Sequence, residues 1–196
     1  MPYCDDKKTI FLHIPKTGGT LVKNKLKIAL LSSSDPGVRP SPQHLTCELL
    51  KERLGQKKYD EYYKFTFVRN PWARILSSYF WRQTLPKKRE VLSFLEFMKL
   101  VEHTVINKNY YKLEFGDHFI PQTNYTGDNV DVFKYERLSD GIVTVASKLN
   151  LSIPIVKKKE VKPHDQYWDY YNKEAQTIVR NIYSDEIDRF NFQFGE

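Results

Sequence analysis

One short segment near the start of the chain limits the fold more than any other feature. Residues Phe11–Thr20 read FLHIPKTGGT, an apolar run followed by a lysine, a threonine and two glycines. We predict a buried strand over Thr9–Ile14 and, after Gly18 and Gly19, a helix that continues to about Leu31. A strand, a glycine turn and a helix in this order usually bind a phosphate. Glycines let the backbone approach an anion, and the free N–H groups at the helix start point toward it.

The polar residues of this turn suit an anion but differ from the P-loop of ATP- and GTP-binding enzymes. In that loop the lysine comes directly after the second glycine, whereas Lys16 here precedes both Gly18 and Gly19. Lys16 still supplies a positive charge, and the hydroxyls of Thr17 and Thr20 supply hydrogen-bond donors. We therefore interpret the segment as a phosphate site of another kind, with a tight turn and a solvated lysine as the alternative.

A second segment has the same organisation. Residues Phe65–Phe80 read FTFVRNPWARILSSYF. We predict a strand over Lys64–Val68 and a helix that begins near Pro71, since proline is favoured at the first helical position. Arg69 stands at the end of the strand, and Ser77 follows eight residues later. Because arginine suits planar, bidentate phosphate recognition, Arg69 and Ser77 are expected to form a second anion site.

Strands and helices alternate along the rest of the chain. A third strand is predicted over Val130–Tyr135, and a long polar and aromatic stretch without clear periodicity covers Asn107–Thr126. The alternation predicts an α/β fold with a parallel sheet, and 196 residues suit a single domain. The remaining predicted helices cover Leu45–Leu54, Leu92–Val101, Gly141–Leu149 and Glu174–Tyr183.

The composition narrows the class of protein. The formal net charge of +7 favours an anionic ligand or substrate. Cys4 and Cys47 are too few for a disulfide scaffold, and we expect two reduced thiols. The histidines lack metal-site spacing, and His13 is interpreted as a packed residue of the first strand. Residues Met1–Lys8 carry no apolar signal segment, and no apolar run approaches the ~20 residues that span a bilayer, so a soluble protein is expected.

The two motifs together resemble those of the sulfotransferases that use 3′-phosphoadenosine 5′-phosphosulfate (PAPS), especially the carbohydrate sulfotransferase branch. In that family the sequence PKTGGT, here Pro15–Thr20, is the 5′-phosphosulfate loop, and the segment from Arg69 to Ser77 corresponds to the 3′-phosphate site. The resemblance implies a P-loop-NTPase-like three-layer α/β fold with a central parallel sheet, in one domain over residues 1–196. It also implies PAPS as donor, adenosine 3′,5′-bisphosphate (PAP) as product and no metal ion. Further similar segments are His44–Thr46, Phe119–Tyr125, Val132–Leu138 and Ile182–Phe194.

The resemblance also implies roles for individual residues. Lys158, in a basic loop that would close over the nucleotide, is expected to approach it, with a solvated basic face as the alternative. Ala73 stands where the family often has an acidic residue, so a local salt bridge to Arg74 is expected to be missing. Leu21 stands where a hydroxyl residue is common, which leaves one donor fewer. The residues expected to hold the 5′-phosphosulfate are Lys16, Thr17, Gly18, Gly19 and Thr20.

Sulfuryl transfer in such a family is an in-line displacement at sulfur by an acceptor hydroxyl. It requires a general base for the hydroxyl and a cation at the oxygen that leaves. Lys16 is the expected cation. His44 is the expected base, and His118 is the alternative base or a substrate contact. Gln122 and Asn124 are expected to hydrogen-bond hydroxyls of a sugar acceptor.

Other readings stay open at this point. A P-loop kinase would share the α/β architecture and require magnesium. A non-catalytic basic module would bind nucleic acid or an anionic glycan with strong salt dependence, although no nucleic-acid-binding motif is present. A sulfotransferase fold without activity is a third alternative. The expected acceptor is a saccharide hydroxyl. We expect a cytoplasmic enzyme of a microbe or virus, with a truncated Golgi-lumenal domain as the alternative, and the sequence makes no prediction of oligomeric state.

Overall fold

The computed structural model describes residues 3–27, 41–85, 92–153 and 166–196. These residues form two compact units. The described part of the first unit comprises residues 3–27, 41–68 and 122–153, and that of the second comprises residues 69–85, 92–121 and 166–196.

The regular elements are numbered in chain order. The strands are β1 (Tyr3–Cys4), β2 (Thr9–Leu12), β3 (Tyr63–Val68) and β4 (Val130–Lys134). The helices are α1 (Gly19–Leu26), α2 (Cys47–Leu54), α3 (Gln56–Glu61), α4 (Pro71–Gln83), α5 (Phe94–Ile106), α6 (Leu138–Lys148), α7 (Lys173–Ile182) and α8 (Ser184–Phe190). Short 3-10 helices cover Gly116–Phe119, Gln122–Tyr125, Tyr135–Arg137 and Tyr167–Tyr170.

The four strands form one sheet in the first unit, in the order β1-β2-β3-β4. Strands β2, β3 and β4 are parallel, with Phe11 opposite Phe65 and Phe65 opposite Asp131. Parallel strands are typically covered on both faces, which explains the nearly continuous apolar sequence of β2 and β3. The predicted α/β class with a parallel sheet is therefore confirmed, whereas the antiparallel edge strand β1 was not predicted.

The core of the first unit joins the sheet to α1 and α6. Phe11 stacks on Phe65 with ring centroids 5.0 Å apart, and Phe67 lies in the same buried cluster as Ile142 of α6. A Cβ atom at Gly141 would lie 2.5 Å from Cε1 of Phe67. Glycine at this position therefore lets α6 approach the sheet, which fixes the helix over the side of the sheet that also carries α1.

A buried lysine fixes the start of β3. The Lys64 ammonium donates hydrogen bonds to the carbonyl oxygens of Tyr59 and Tyr62, each at 2.8 Å, and to that of Asp60 at 3.3 Å. These carbonyls belong to the C-terminal end of α3, where the helix has no N–H partners for them. Burial lowers the pKa of Lys64, and the negative charge of Asp60 opposes this shift.

The second unit is built from helices, and α4 and α5 each begin at a capping residue. The Asn70 side chain accepts a hydrogen bond from the Trp72 backbone N–H, and Pro71 occupies the first position of α4. Ser93 and Glu96 form a capping box at the start of α5. Helices α4, α5, α7 and α8 then share one apolar cluster, which includes Trp72, Phe97, Met98, Val101, Phe119, Val179, Tyr183 and Ile187.

A buried ion pair in the second unit joins α4 to α8. Arg74 and Glu186 are 0–1 % exposed, and an Arg74 guanidinium nitrogen lies 3.6 Å from a Glu186 carboxylate oxygen. The guanidinium also donates to the carbonyl oxygens of His118, at 3.0 Å, and Ile120, at 3.4 Å. With Ala73 beside it, Arg74 was expected to lack a local salt bridge. Its carboxylate partner comes instead from α8, far along the chain.

The predicted strands and helices are observed, but several of their bounds differ. The first strand ends at Leu12 rather than Ile14, and α1 ends at Leu26, with Lys27 in the left-handed conformation, rather than near Leu31. Helix α2 ends before Gly55 as predicted. Helices α3 and α8 and the 3-10 helices were not predicted. The basic loop that contains Lys158 lies outside the described residues.

Cys4 and Cys47 are both free, which confirms the expected reduced thiols. Among the helices that the structure describes, none combines the length and the apolar character needed to cross a membrane.

Candidate functional site

The turn between β2 and α1 has the backbone geometry of an anion-binding helix start. Gly18, the N-cap residue, has φ 82°, and Lys16 has φ 69°. Both values lie in the left-handed region, which glycine adopts freely and lysine adopts at a cost. The Leu21 and Val22 backbone N–H groups donate to the Gly18 carbonyl. As in any α-helix, the N–H groups at the very start of α1 have no acceptor within the helix and point out of its end.

Both glycines of this turn are required by close contacts within the first unit. A Cβ atom at Gly18 would lie 2.7 Å from Cδ2 of Leu138, at the start of α6. A Cβ atom at Gly19 would lie 1.9 Å from Nε2 of His13. The first contact brings α6 against the turn and the second brings a histidine ring against it. Any side chain at either position would have to displace its neighbour.

The two threonines of the turn differ in burial and in hydrogen bonding. Thr17 is fully buried, and its hydroxyl donates to the Ile14 carbonyl oxygen at 2.8 Å. This bond closes the turn, so the Thr17 hydroxyl hydrogen is used within the protein. Thr20 is exposed in the first turn of α1, and Lys16 is half-buried. Thr20 and Lys16 are therefore the side chains of the turn that reach solvent.

His44 lies in the same unit as the glycine turn, just before α2. Its side chain is half-buried. Its backbone N–H donates to the Ser41 carbonyl at 2.9 Å, and its carbonyl accepts from the Tyr125 hydroxyl at 3.1 Å. The His44 ring meets the His13 ring edge-on, with centroids 5.0 Å apart. The structure therefore brings both the predicted base and the predicted 5′-phosphosulfate loop, Pro15–Thr20, into contact with one histidine, His13.

The two predicted substrate residues near the end of the long polar stretch differ in exposure. Gln122 is fully buried, whereas Asn124 is exposed. Both belong to the 3-10 helix Gln122–Tyr125 of the first unit. Asn124 is thus the residue of this pair whose side chain solvent can reach.

Arg69 and Ser77 flank the start of α4 as predicted. Arg69 follows β3 directly and is 8 % exposed, and Ser77 lies half-buried in the second turn of the helix. Between them, the Asn70 amide donates to the Gln193 carbonyl at 2.8 Å and to the Tyr167 hydroxyl at 3.1 Å. Burial raises the pKa of Tyr167, so this hydroxyl stays neutral while it holds Asn70.

His118 lies in the second unit, on the 3-10 helix Gly116–Phe119. Its ring is 6 % exposed and stacks on Trp81, with centroids 4.5 Å apart and planes 26° apart. Phe115, three residues before His118, has φ 61° and packs edge-on against Trp81. A small cavity next to this stack is lined by Ser78, Trp81, Arg82, Phe97, Phe115, His118 and Phe119.

Sequence reasoning missed the residues that support the predicted ones. His13 contacts Gly19 within the same short segment. The contact of His13 with His44, the Tyr125 hydroxyl on His44 and the Arg74 contact with the His118 carbonyl join segments far apart in the sequence. His13 carried a signal, since it lies one residue past the end of a buried strand whose next residues form the glycine turn. The others had none.

These features define an α/β protein in which parallel strands lead through a glycine turn into a helix start suited to an anion. The sequence model of the sulfotransferase family matches residues 1–193 of the chain. The chain belongs to the sulfotransferase family, and the expected resemblance is confirmed. A curated relative from Archaeoglobus fulgidus, described as an uncharacterized protein, is 31% identical over 119 residues, which cover 61% of this chain and 93% of the relative. No solved structure matches the chain.

Proposed function

We propose that the protein transfers the sulfuryl group of PAPS to a hydroxyl of a carbohydrate acceptor and releases PAP. The observation that carries the proposal is the start of α1, where the left-handed Gly18 and the half-buried Lys16 adjoin a helix end. Membership of the sulfotransferase family supports transfer of a sulfuryl group. The donor and the acceptor class follow the resemblance of the two motifs to those of the PAPS-dependent carbohydrate branch.

The proposed donor contacts come from both motifs. The N–H groups at the start of α1, together with Lys16 and Thr20, bind the 5′-phosphosulfate, because a helix start and a cation both favour negative charge. Gly18 and Gly19 allow the close approach, and Thr17 keeps the turn closed through its bond to Ile14. Arg69 and Ser77 bind the 3′-phosphate. Lys158 belongs to the same proposal as a later contact to the nucleotide.

The proposed reaction balances as a single displacement. The acceptor oxygen attacks the sulfur atom of PAPS, and the bond from that sulfur to the 5′-phosphate oxygen breaks. The proton of the acceptor hydroxyl passes to the base, and the electron pair of the broken bond stays on the phosphate oxygen. Lys16 and the N–H groups of α1 stabilise the negative charge that develops there. The proposed reaction uses no metal ion.

We assign the base to His44 rather than His118. A general base must approach the hydroxyl within hydrogen-bond distance. The His44 ring is half-buried, whereas the His118 ring is buried beneath the Trp81 indole. Asn124 is the proposed acceptor contact because its side chain is exposed, whereas the other two predicted contacts, His118 and Gln122, are buried. The three-layer P-loop-like architecture and the action of the whole chain as one sulfotransferase domain belong to the same proposal.

Thermal unfolding with PAP and with ADP, in EDTA, tests the donor site. A ligand at 100 times its dissociation constant adds about 2.7 kcal/mol to the free energy of unfolding. We expect PAP to raise Tm, ADP to have a much smaller effect, and Arg69→Ala to abolish the difference between them. Arg180→Ala, which removes an exposed arginine of the second unit, is the matched control and should respond to PAP like the wild type.

An equal response to PAP and ADP, or a response to ADP that needs magnesium, would refute the PAPS proposal and favour a kinase. If PAP is bound, a panel of saccharides with radiolabelled PAPS then identifies the acceptor, with hydrolysis by water as the baseline rate.

A further inference from the structure

We infer that His13 is a positioning residue that holds the proposed donor loop, Pro15–Thr20, and the proposed base His44 in a fixed relative position. The inference rests on the proposed function, since it concerns how that site is kept in a reactive geometry. His13 is not among the donor or acceptor contacts proposed above. It follows β2 directly, and its side chain is 9 % exposed.

The first contact of His13 is with the donor loop. An ideal Cβ atom at Gly19 would lie 1.9 Å from Nε2, 2.3 Å from Cδ2 and 2.6 Å from Cε1 of the His13 ring. The ring therefore occupies the space that a side chain at the first residue of α1 would fill. Because Gly19 has no side chain, the imidazole lies directly against the backbone whose N–H groups face the phosphosulfate.

The second contact is with the base. The rings of His13 and His44 meet edge-on at a centroid distance of 5.0 Å and an interplanar angle of 68°. The Tyr125 hydroxyl holds the His44 backbone carbonyl at 3.1 Å. With the backbone fixed by Tyr125 and one edge of the ring fixed by His13, few orientations remain for the His44 imidazole.

The His13 ring is itself packed against aromatic residues of the sheet. It stacks on Phe11 with centroids 5.3 Å apart and planes 25° apart, and Phe11 stacks on Phe65 of the neighbouring strand. The parallel sheet is thus connected through three stacked rings to the loop and the base. A displacement of reacting groups by 1 Å can cost about 100-fold in rate, so a rigid spacer between these two groups has a direct catalytic effect.

A double-mutant cycle between His13 and Gly19 tests the contact with the donor loop. Gly19→Ala should weaken PAP binding because the new methyl group displaces the His13 ring. In the His13→Ala background the space is open, and the same change should weaken binding much less. We expect a coupling of about tenfold in Kd, measured by isothermal titration calorimetry. Additive effects of the two substitutions would overturn the inference.

Turnover tests the contact with the base. The rate of PAP formation is measured at saturating PAPS with the best saccharide of the panel, or with water when no saccharide is used. We expect His13→Ala to lower kcat by about 10- to 100-fold, with a smaller rise in the KM for PAPS, and His44→Ala to set the lower limit. His13→Phe keeps an aromatic ring between Phe11 and His44 and should restore most of the kcat.

The control is Val145→Ala, which truncates a buried residue of α6 in the same core. It should lower Tm without changing the ratio of kcat to KM. If His13→Ala does not fold, Gly19→Ala at saturating PAPS provides the test, because the new methyl group displaces the His13 ring. A wild-type kcat for Gly19→Ala would then overturn the inference.

A His13→Phe enzyme as slow as His13→Ala would also overturn it, since a ring nitrogen rather than the packed ring would then matter. A wild type that binds no PAP or forms none refutes the proposed function, and the inference with it.

Discussion

At the scale of single residues, the proposed donor loop, Pro15–Thr20, combines a strained lysine with two glycines whose substitution would force neighbouring side chains to move. Gly18 and Gly19 are explained by the lack of space for a side chain. Lys16 is different, because its φ of 69° places a residue with a Cβ atom in a region that costs about 1–2 kcal/mol. Strain of this kind persists when the surroundings impose it and often marks a functional site. Gly18 and the hydrogen bond from Thr17 to Ile14 enforce the turn. A glycine at position 16 would adopt this conformation without strain, so we infer that lysine is kept there for its charged side chain.

Two substitutions at Lys16 separate its backbone strain from its charge. Both Lys16→Gly and Lys16→Ala should lose PAP binding, because each removes the cation. Lys16→Gly should nevertheless unfold at higher urea than Lys16→Ala, with a difference of about 1 kcal/mol, since glycine adopts positive φ without strain. Equal stability of the two variants in the absence of ligand would show that the left-handed conformation at this position is not strained.

At the scale of elements, the short 3-10 helix that carries His118 depends on a buried network rather than on its own hydrogen bonds. Arg74 of α4 donates to the carbonyls of His118 and Ile120, and Glu186 of α8 balances its charge. The Tyr183 hydroxyl donates to the Phe119 carbonyl at 2.8 Å, and burial raises the pKa of Tyr183 so that it remains a donor. Arg74 and Tyr183 thereby hold the backbone from His118 to Ile120.

Removing the guanidinium should therefore be costly. Arg74→Ala leaves a buried carboxylate and two carbonyls without their partner, and breaking such a pair typically costs about 3–5 kcal/mol. The double variant Arg74→Met/Glu186→Leu should recover part of this loss, because no charge is then left buried. Urea unfolding measures both, with Arg180→Ala as an exposed control. An Arg74→Ala protein within about 0.5 kcal/mol of the wild type would mean that the network contributes little, as for an ordinary surface substitution.

The elements that the sequence predicted and those that it did not differ in a physical way. Strands β2 and β3 are mainly apolar runs followed by a glycine turn or by Asn-Pro, and these are local signals. Strand β1 has two residues, and α8 follows α7 after a single residue, so neither has a pattern of its own length. The pairing of Arg74 with Glu186 was missed for the same reason, since nothing local links positions separated by most of the second unit.

At the scale of the whole molecule, the part of the site that the sequence predicted is the part built from local motifs. The glycine turn and the segment from Arg69 to Ser77 each contain a strand end, a turn and a helix start, so the backbone geometry follows from adjacent residues. The surroundings of His44 and His118 depend instead on which rings and carbonyls the fold places beside them. Motif spacing predicts a donor site, whereas the acceptor contacts depend on packing that no short segment encodes.

The net charge of +7 leads to a prediction for the whole molecule. Both phosphates of PAP would be attracted by the field of the excess lysines and arginines as well as by Lys16 and Arg69. Screening shortens the range of that field from about 10 Å at 0.1 M salt to about 3 Å at 1 M. The Kd for PAP should therefore rise steadily with sodium chloride, mainly through slower association, as measured by stopped-flow and calorimetry. Adenosine, which carries no phosphate, is the control and should show no such trend. A Kd for PAP that does not change with salt would assign recognition to short-range hydrogen bonds from the loop backbone, with no contribution from the overall charge.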